Sequence, residues 1–279
     1  MITPAPLPFR GSLPEASPPS DMAIYQLPTG TYETRAAFAF KGGSWREKRS
    51  FAATAVLVRH PGGDLLIDAG FGADVAAHVK AQPRLARAPY KALSTVSDQF
   101  DAAGYDRDRL RGVLITHAHW DHVSGLDQLR VPIWMNPSEL RYAAEDGDGR
   151  VYRTVSQGRE IRQYAFDDKP YLGFSCSYDV YGDGSVVVAL AGGHTTGSVI
   201  VFVTLPTGKR YAFIGDLAWQ LEGVTRPAER PWLMRKLADC DEDQVRDGLR
   251  RMASLKDLMQ IVPSHDLSAY AGIPLLPGR

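Results

Sequence analysis

Three of the seven histidines in the chain lie within six consecutive residues, in the segment ITHAHWDHVSG (residues 115–125). The segment continues the apolar run RGVLI, which predicts a short buried strand. Because side chains alternate along an extended chain, we expect His117 and His119 to lie on one side of it. Asp121 and His122 then turn towards a second position beside the first. Four such groups repel one another and are costly to bury alone, so the segment predicts a metal site.

Three further candidate ligands follow predicted strands elsewhere in the chain. His194 comes after two glycines in AGGHTTGS, Asp216 ends the run FIGD, and His265 lies in VPSHD. Glycines permit a sharp backbone turn, and an acid at the end of an apolar strand has no packing role there. A lone histidine after a strand is more often solvated than bound to metal. We therefore interpret these three residues as ligands only in combination with the histidine cluster.

Composition limits the classes of partner. The 32 Lys and Arg residues balance 32 Asp and Glu residues, so there is no electrostatic case for a nucleic-acid or membrane partner. A small-molecule substrate is the expected partner instead. The sequence has neither a run of about 20 apolar residues, as a membrane helix requires, nor a secretory signal pattern. With two cysteines and no disulfide framework, a cytoplasmic location is expected.

The chain is predicted to consist of an arm and one domain. Residues 1–21 are rich in proline, which fixes φ and withholds hydrogen-bond donors, and they predict an extended N-terminal arm. Such an arm is consistent with a homodimer. Residues 22–279 contain no linker-like segment and predict a single domain.

Strand and helix patterns alternate in blocks along this domain. Two packed sheets flanked by helices would satisfy that order, and the short turns in the first block favour antiparallel pairing there. The predicted strands are MAIYQL, TYETRAAFAF (residues 31–40), FAATAVLVR, GGDLLID, RGVLIT, VPIWM, SCSYDVYG, SVVVALAG, SVIVFVTLP, KRYAFIGD and MQIVPSHD, and the predicted helices are residues 73–80, 92–103, 136–146 and 241–258.

The motifs THAHWDH, GGHTTGS, GD and PSHD occur together in this order, and with them the chain resembles the metallo-β-lactamase superfamily of metal-dependent hydrolases. The resemblance covers about Asp68 to His265. It implies an α+β fold, an αβ/βα four-layer sandwich of two mixed β-sheets flanked by helices. It also implies a site for two divalent metal ions, and zinc is the expected metal.

The resemblance divides the seven candidate metal ligands into two sets. The sets are His117, His119 and His194 for one ion, Asp121, His122 and His265 for the other, and Asp216 as the bridge between both. Asp68, in LLIDAG, matches an early buried acid of the family that supports the ligand loop without binding metal.

The implied site predicts hydrolysis. Two neighbouring divalent ions lower the pKa of a shared water, supply hydroxide near neutral pH and polarise a carbonyl or phosphoryl oxygen. A metal-bridging hydroxide is then the nucleophile, and no catalytic serine or cysteine is needed. Asp121 is the candidate catalytic residue, because a ligand carboxylate lies within reach of the bridging oxygen and can pass a proton to the leaving group.

The substrate is predicted less directly than the reaction. Family members with five histidines and two aspartates include N-acyl-homoserine lactonases, glyoxalase II-type thioesterases and some phosphodiesterases. Chain length and the N-terminal extension favour a lactone or a related carboxylic ester. A thioester or phosphodiester at the same site is the alternative, and a non-catalytic metal-binding protein is a third hypothesis.

Two positions depart from the family pattern. Trp219 stands where several lactonases carry a tyrosine that contacts the substrate carbonyl, and Ser198 stands where many relatives carry a histidine. The segment after Asp216 is a candidate pocket wall, although its aromatic residues equally suit a long loop packed onto the core. The substrate-pocket candidates are Trp219, Leu221, Trp232 and Met234.

Overall fold

The fold is that of a computed structural model, which describes residues 9–145 and 149–278. The contacts between these residues divide them into two compact units. The seven-stranded unit comprises the described residues of Asp21–Glu33, Phe51–Tyr164 and Tyr270–Arg279, and the five-stranded unit comprises those of Met1–Ser20, Thr34–Ser50 and Ala165–Ala269. The proposed division into an arm and a single domain stays a prediction.

The first unit contains one mixed sheet of seven strands among the residues that are described. Its strands are β1 (Ala23–Arg35), β2 (Lys48–Arg59), β3 (Asp64–Ile67), β4 (Tyr90–Ala92), β5 (Leu110–Leu114), β6 (Ile133–Met135) and β7 (Ile161–Gln163). Their order in the sheet is β4-β1-β2-β3-β5-β6-β7. Antiparallel pairing joins β1 to β4 and β2 to β3, whereas β3, β5, β6 and β7 are parallel. The carboxyl ends of β3 and β5 therefore lie side by side, which brings the segments that follow them together.

The second unit contains a mixed sheet of five strands, again counted within the described ranges. The strands are β8 (Ser177–Asp179), β9 (Val186–Leu190), β10 (Val199–Thr204), β11 (Arg210–Phe213) and β12 (Gln260–Val262), in the order β12-β11-β10-β9-β8. Pairing is antiparallel from β8 to β11 and parallel between β11 and β12. The two parallel strands end at the same edge, so the residues that follow them are neighbours.

Helices flank both sheets. In chain order they are α1 (Ala36–Ala39), α2 (Val75–Ala81), α3 (Val96–Ala103), α4 (Trp120–Val123), α5 (Pro137–Glu145), α6 (Arg150–Val155), α7 (Glu222–Thr225), α8 (Trp232–Ala238) and α9 (Glu242–Leu255). Helices α1 and α7 to α9 belong to the five-stranded unit. Among the described residues, no helix is both long enough and apolar enough to cross a membrane.

Helix α9 shows how the sequence pattern produces packing. Asp241 caps its start, since the carboxylate accepts hydrogen bonds from the backbone N–H groups of Asp243 and Gln244. The apolar stripe predicted for this helix, which includes Leu249 and Met252, is buried in the core of the five-stranded unit. The predicted amphipathic helix is confirmed, and it ends at Leu255, three residues earlier than expected.

Element boundaries also differ from the prediction at β1 and α3. The strands expected in MAIYQL and TYETRAAFAF form the single strand β1, which ends at Arg35, and the prediction of a strand through residue 40 is wrong. Alanine is the strongest helix former, and three of the four residues of α1 are alanine. The helix expected from residue 92 begins at Val96, because the side chains of Thr95 and Asp98 form a capping box at that point.

The described part of the proline-rich arm packs along the five-stranded unit. Phe9 and Leu13 lie against its hydrophobic core. Arg210 donates to the Pro14 carbonyl oxygen at 2.7 Å, and the backbone N–H of Ser17 donates to the Asp183 carbonyl at 2.7 Å. Residues 1–8 of the arm, and residue 146 of the helix predicted at 136–146, lie outside the described residues. The homodimer expected from the arm stays a prediction.

Truncation of the core stripe of α9 should destabilise the protein. Leu249→Ala is expected to lower the free energy of unfolding by about 2–5 kcal/mol, because Leu249 is buried and its loss leaves a cavity. Urea denaturation followed by circular dichroism measures the change. Leu258→Ala is the matched control, since Leu258 is 46% exposed and its truncation should cost no more than about 0.5 kcal/mol. Equal losses in the two variants would contradict the assigned packing.

Candidate metal centre

The seven-stranded unit holds four of the seven candidate ligands on one turn of chain. They follow β5 directly, and Asp121 and His122 lie within the single-turn helix α4. The ring centroids of His117 and His122 are 4.0 Å apart, and those of His117 and His119 are 4.6 Å apart. His117, Asp121 and His122 are buried, and His119 is partly buried. Within this unit the structure therefore brings together the side chains that the spacing selected.

Asp68 supports this segment from the end of the neighbouring strand β3. Its Oδ1 accepts a hydrogen bond from the Thr116 backbone N–H at 2.8 Å, and its Oδ2 accepts one from the Thr116 hydroxyl at 2.8 Å. The same Oδ2 lies 2.8 Å from Nδ1 of His122. A proton on Nδ1 shared with a carboxylate leaves the lone pair on Nε2, which is then the nitrogen that can bind a metal ion. Asp68 therefore contacts the segment that carries four candidate ligands, and its role as a support of metal ligands stays a prediction.

Asp68 adopts a backbone conformation that only a few residue types tolerate. Its φ is +56°, in the left-handed region, where Asp and Asn are more frequent than other non-glycine residues. This turn directs the carboxylate towards the segment after β5, while the Asp68 backbone N–H donates to the Leu114 carbonyl at 2.9 Å. The backbone N–H of Ala69 donates in turn to the His122 carbonyl at 2.8 Å. The two strand ends are thus joined by main chain as well as by side chains.

Helix α5 fixes the same segment from another side. Glu139 is fully buried, and its Oε1 accepts a hydrogen bond from the Ala118 backbone N–H at 2.7 Å. The hydroxyl of Tyr142 lies 2.9 Å from Nε2 of His119, which leaves Nδ1 as the ring nitrogen that can bind a metal ion. Glu139 lies in the first turn of α5. Nothing in the local sequence marks either residue as a support, because the contacts depend on how α5 packs.

In the five-stranded unit, glycines shape the turn that carries His194. Gly192 and Gly193 have φ values of +63° and +87°, which disfavour any side chain. A Cβ atom at Gly193 would also lie 2.7 Å from the backbone nitrogen of Val245. Ser198 closes the turn, since its hydroxyl lies 3.0 Å from the Gly192 carbonyl oxygen. Ser198, which stands where many relatives carry a histidine, therefore stabilises the conformation of the loop that carries His194.

The same unit gathers the remaining three candidate ligands around Asp216. This residue follows β11, and His265 follows the parallel strand β12. The Nε2 atom of His265 lies 3.1 Å from Asp216 Oδ1, and Nε2 of His194 lies 3.6 Å from Asp216 Oδ2. All three side chains are buried. Trp219 donates its indole N–H to Asp216 Oδ2 at 2.8 Å.

A buried ion pair contacts two of these candidate ligands, and the sequence did not predict it. The Arg230 guanidinium donates to Asp239 Oδ1 at 2.7 Å, and that oxygen is 3.1 Å from Nδ1 of His194. Arg230 also donates to the main-chain carbonyl of Asp216 and stacks over the Trp219 ring at 4.4 Å. The Arg230 guanidinium therefore contacts both Asp239 and Trp219, which are hydrogen-bonded to the candidate ligands His194 and Asp216. No local signal predicts this arrangement, because Asp239 lies 45 residues from His194 in the chain.

The electrostatics of this pair favour ionised Asp239. Burial alone would raise the pKa of the carboxyl, but the charge of Arg230 and the hydrogen bond with His194 hold that pKa below its ordinary value. An ionised Asp239 accepts the Nδ1 proton of His194. As for His122 and Asp68, the lone pair of the imidazole is then placed on Nε2.

The donor set fits divalent metal ions. His122 and His194 each have Nδ1 against a carboxylate, the arrangement that orients metal-binding imidazoles in proteins. Within each unit, ligand atoms lie within 4.8 Å of one another in the pairs His117 with His119, Asp121 with His122, and His194 with Asp216. Imidazole nitrogen and carboxylate oxygen are preferred ligands of zinc and similar divalent ions.

The four substrate-pocket candidates lie in different surroundings. Trp219 contacts Asp216 and Arg230, as described above, and Leu221 packs against the core of the five-stranded unit. Trp232 and Met234 lie on α8, where Trp232 is 65% exposed and no described residue is buried. The contacts of Trp219 are those of a support for a candidate ligand. Whether these four residues contact a substrate stays a prediction.

Comparison with known proteins gives a family match over most of the chain. The family model described as the metallo-beta-lactamase superfamily matches residues 50–265. A probable metallo-hydrolase of Mycobacterium tuberculosis is 27% identical over 235 residues, which cover 77% of this chain and 74% of the relative. An N-acyl homoserine lactonase of Rhizobium radiobacter is 25% identical over 272 residues, which cover 92% of this chain and 98% of the relative.

The fold is shared with solved structures. An N-acyl homoserine lactone hydrolase, solved with the product N-hexanoyl-L-homoserine at its catalytic metal centre, superposes with a TM-score of 0.71 at 15% identity. The match covers 90% of this chain and 96% of that one. The predicted fold class, two mixed sheets with flanking helices in the metallo-β-lactamase fold, is confirmed.

Loss of the Asp239 charge should destabilise the five-stranded unit. Asp239→Asn is expected to lower the free energy of unfolding by about 3–5 kcal/mol at pH 7, because it leaves the Arg230 charge buried without its partner. Asp243→Asn is the matched control, since that exposed ion pair with Arg246 should contribute less than about 1 kcal/mol. Denaturant titration of metal-free protein measures both.

The difference in the free energy of unfolding between the parent and Asp239→Asn is expected to depend on pH. A carboxyl whose folded-state pKa lies below its ordinary value of 3.8 contributes stability above that pH and loses it as the pH falls through the lowered folded-state pKa. The difference in stability between the parent and Asp239→Asn should therefore narrow as the pH is lowered below about 3.8. A difference that widens in acid would contradict the assigned ion pair.

Proposed function

Because the chain belongs to the metallo-beta-lactamase superfamily and is a metal-dependent hydrolase, we propose that it opens a lactone or cleaves a related carboxylic ester with two bound zinc ions. The family and the His and Asp groups imply divalent metal ions. The number of ions, their identity and the substrate are the proposed elements.

The proposed ligand sets follow the family pattern and are supported by the local geometry of each unit. Both sets contain imidazole nitrogens, Asp121 adds a carboxylate oxygen to one of them, and Asp216 would supply carboxylate oxygen to both ions. The hydrogen bonds of Asp68, Asp239 and Tyr142 each engage one ring nitrogen of a candidate ligand histidine. The sets are His117, His119 and His194 for one ion, Asp121, His122 and His265 for the other, and Asp216 as the bridge.

When bound, a pair of such ions supplies hydroxide near neutral pH and polarises a carbonyl oxygen. The residues of the chain contribute orientation and proton transfer. Asp68 and Asp239 hold the histidine rings in one tautomer, and the buried Glu139 holds the turn between His117 and His119. Asp121 is proposed to take the proton of the attacking hydroxide and to deliver it to the ring oxygen that leaves when the C–O bond of the lactone breaks.

The observation that carries the substrate class is the end-to-end match to an N-acyl homoserine lactonase, which leaves almost no part of either chain unmatched. Trp219 has a different role from the tyrosine of several lactonases, because its N–H is directed at Asp216 Oδ2. The substrate carbonyl must therefore be bound by other groups in this chain. We propose that Leu221, Trp232 and Met234 bind the apolar part of the substrate.

Removal of the bridging aspartate should abolish metal binding and turnover together. Parent protein is expected to contain about two equivalents of zinc and to release protons from N-acyl-homoserine lactones. Asp216→Ala is expected to lose metal and more than about 100-fold in kcat/KM, because it removes a carboxylate held among three other groups. Elemental analysis and a pH-indicator assay measure the two quantities. Asp257→Ala, at an 84% exposed carboxylate, is the control.

The substrate panel separates the proposal from its alternatives. Lactones of several acyl lengths, a carboxylic ester, a glutathione thioester and a chromogenic phosphodiester are tested on the same metal-quantified protein. Metal-loaded parent protein that releases protons from no lactone or ester contradicts the proposed substrate. Thiol or chromophore release would then assign the site to thioesters or phosphodiesters, and no turnover at all would favour a metal-binding protein without catalysis.

A further inference from the structure

Tyr32 contacts the candidate proton donor of the reaction from a distant part of the chain. It lies on β1, and its hydroxyl donates a hydrogen bond to Asp121 Oδ2 at 3.0 Å across a separation of 89 residues. Both residues belong to the seven-stranded unit. Nothing in the sequence around Tyr32 indicates this contact, because strand residues of this type usually serve packing.

The ring of Tyr32 is held in place by three other aromatic rings. Its centroid lies 5.3 Å from that of Phe51, 6.5 Å from that of Phe71 and 6.1 Å from that of Trp120. Aromatic pairs at these separations stabilise one another and restrict ring orientation. The hydroxyl is therefore directed at Asp121 by packing on several sides.

Phe71 is itself fixed by the strand that carries Tyr32. A Cβ atom at Gly30 would lie 2.3 Å from the Phe71 ring, so glycine is required there to admit that ring. The Thr29 hydroxyl accepts a hydrogen bond from the Phe71 backbone N–H at 2.7 Å. Adjacent residues of β1 thus place the ring that stacks on Tyr32, and this makes the position of the hydroxyl a property of the strand.

The two oxygens of Asp121 have different neighbours. Oδ2 accepts the Tyr32 hydrogen bond, whereas Oδ1 lies 4.0 Å from Nε2 of His122. Because Nδ1 of His122 is hydrogen-bonded to Asp68, this Nε2 is the ring nitrogen that can bind a metal ion. The oxygen of Asp121 that lies beside this Nε2 can share a metal ion with it, and the Tyr32 hydroxyl holds the other oxygen, which fixes the plane of the carboxylate.

We infer that Tyr32 is a positioning residue of the metal-dependent reaction, which acts through Asp121 by fixing the orientation of its carboxylate. The inference rests on the proposed function, because it takes Asp121 as a ligand. Packing does not explain the hydroxyl, since the ring alone makes the aromatic contacts and a partly exposed hydroxyl would be hydrated at little cost. Supporting groups that orient a ligand typically change metal affinity or activity 10- to 100-fold.

The test is Tyr32→Phe, which removes only the hydroxyl. Metal-loaded protein is dialysed against a graded series of a zinc chelator, and the zinc that remains is measured by elemental analysis. One of the two ions is expected to leave at a chelator concentration about 10- to 100-fold lower than in the parent, and kcat is expected to fall by a similar factor with KM little changed. The melting temperature should stay within a few degrees of the parent, because the aromatic contacts remain.

Tyr90→Phe is the matched control. Tyr90 lies directly opposite Tyr32 on β4, and its ring packs on the same Phe71 at 6.1 Å. The control therefore removes a tyrosine hydroxyl from the same aromatic cluster without removing a contact to Asp121. It should retain zinc as the parent does. Zinc retention and kcat in Tyr32→Phe that match those of Tyr90→Phe would overturn the inference.

A double variant tests whether Tyr32 acts through Asp121. In an Asp121→Asn background, the loss of the Tyr32 hydroxyl is expected to change zinc retention no further, because the residue on which it acts is already altered. A further loss as large as in the parent background would overturn the inference. Zinc retention can be measured without a substrate. A parent protein that binds zinc but opens no lactone would therefore contradict the proposed substrate, and the chelator series would still decide the role of Tyr32.

Discussion

The hydrogen bond between a buried carboxylate and the Nδ1 atom of a buried imidazole is the interaction on which the candidate centre depends. Each unit has an example, between Asp68 and His122 and between Asp239 and His194. A buried histidine without such a partner can adopt either tautomer and its ring can rotate. Both kinds of freedom are unfavourable for a defined metal geometry. Each carboxylate is in turn held by other groups: Thr116 binds Asp68, and Arg230 binds Asp239.

The sheets explain why these groups meet within each unit. Parallel neighbours such as β3 and β5, or β11 and β12, end at the same edge, so that Asp68 lies beside the histidine segment and Asp216 beside His265. Polar residues at such edges are not required for core packing, which leaves them available for chemistry. The aromatic cluster around Tyr32 and the stacked pair of Arg230 and Trp219 add rigidity at the level of side chains. The two units use different supports for the same purpose, to restrict each ligand to one orientation.

Local pattern predicted the regular elements well where a single physical cause determines them. The apolar stripe of α9 and the apolar runs of β9 and β10 are examples, because periodicity and β-branched composition decide such segments. The boundaries at α1 and α3 were missed, since they depend on alanine propensity over one turn and on a capping box between Thr95 and Asp98. Helix α6 and strand β7 were not predicted at all. Their short, weakly periodic sequences are stabilised by neighbours that are distant in the chain.

The sequence by itself determined which residues are candidate ligands and which family the chain resembles, because ligand chemistry depends on residue type and the spacing of THAHWDH is local. Only the tertiary structure decided which ring nitrogen of His122 and of His194 is paired with a carboxylate and how the Asp121 carboxylate is oriented. Those choices are made by hydrogen bonds to Asp68, Asp239 and Tyr32, which lie 54, 45 and 89 residues away from the residues they orient. Contacts across such separations are created by folding, and no local pattern encodes them.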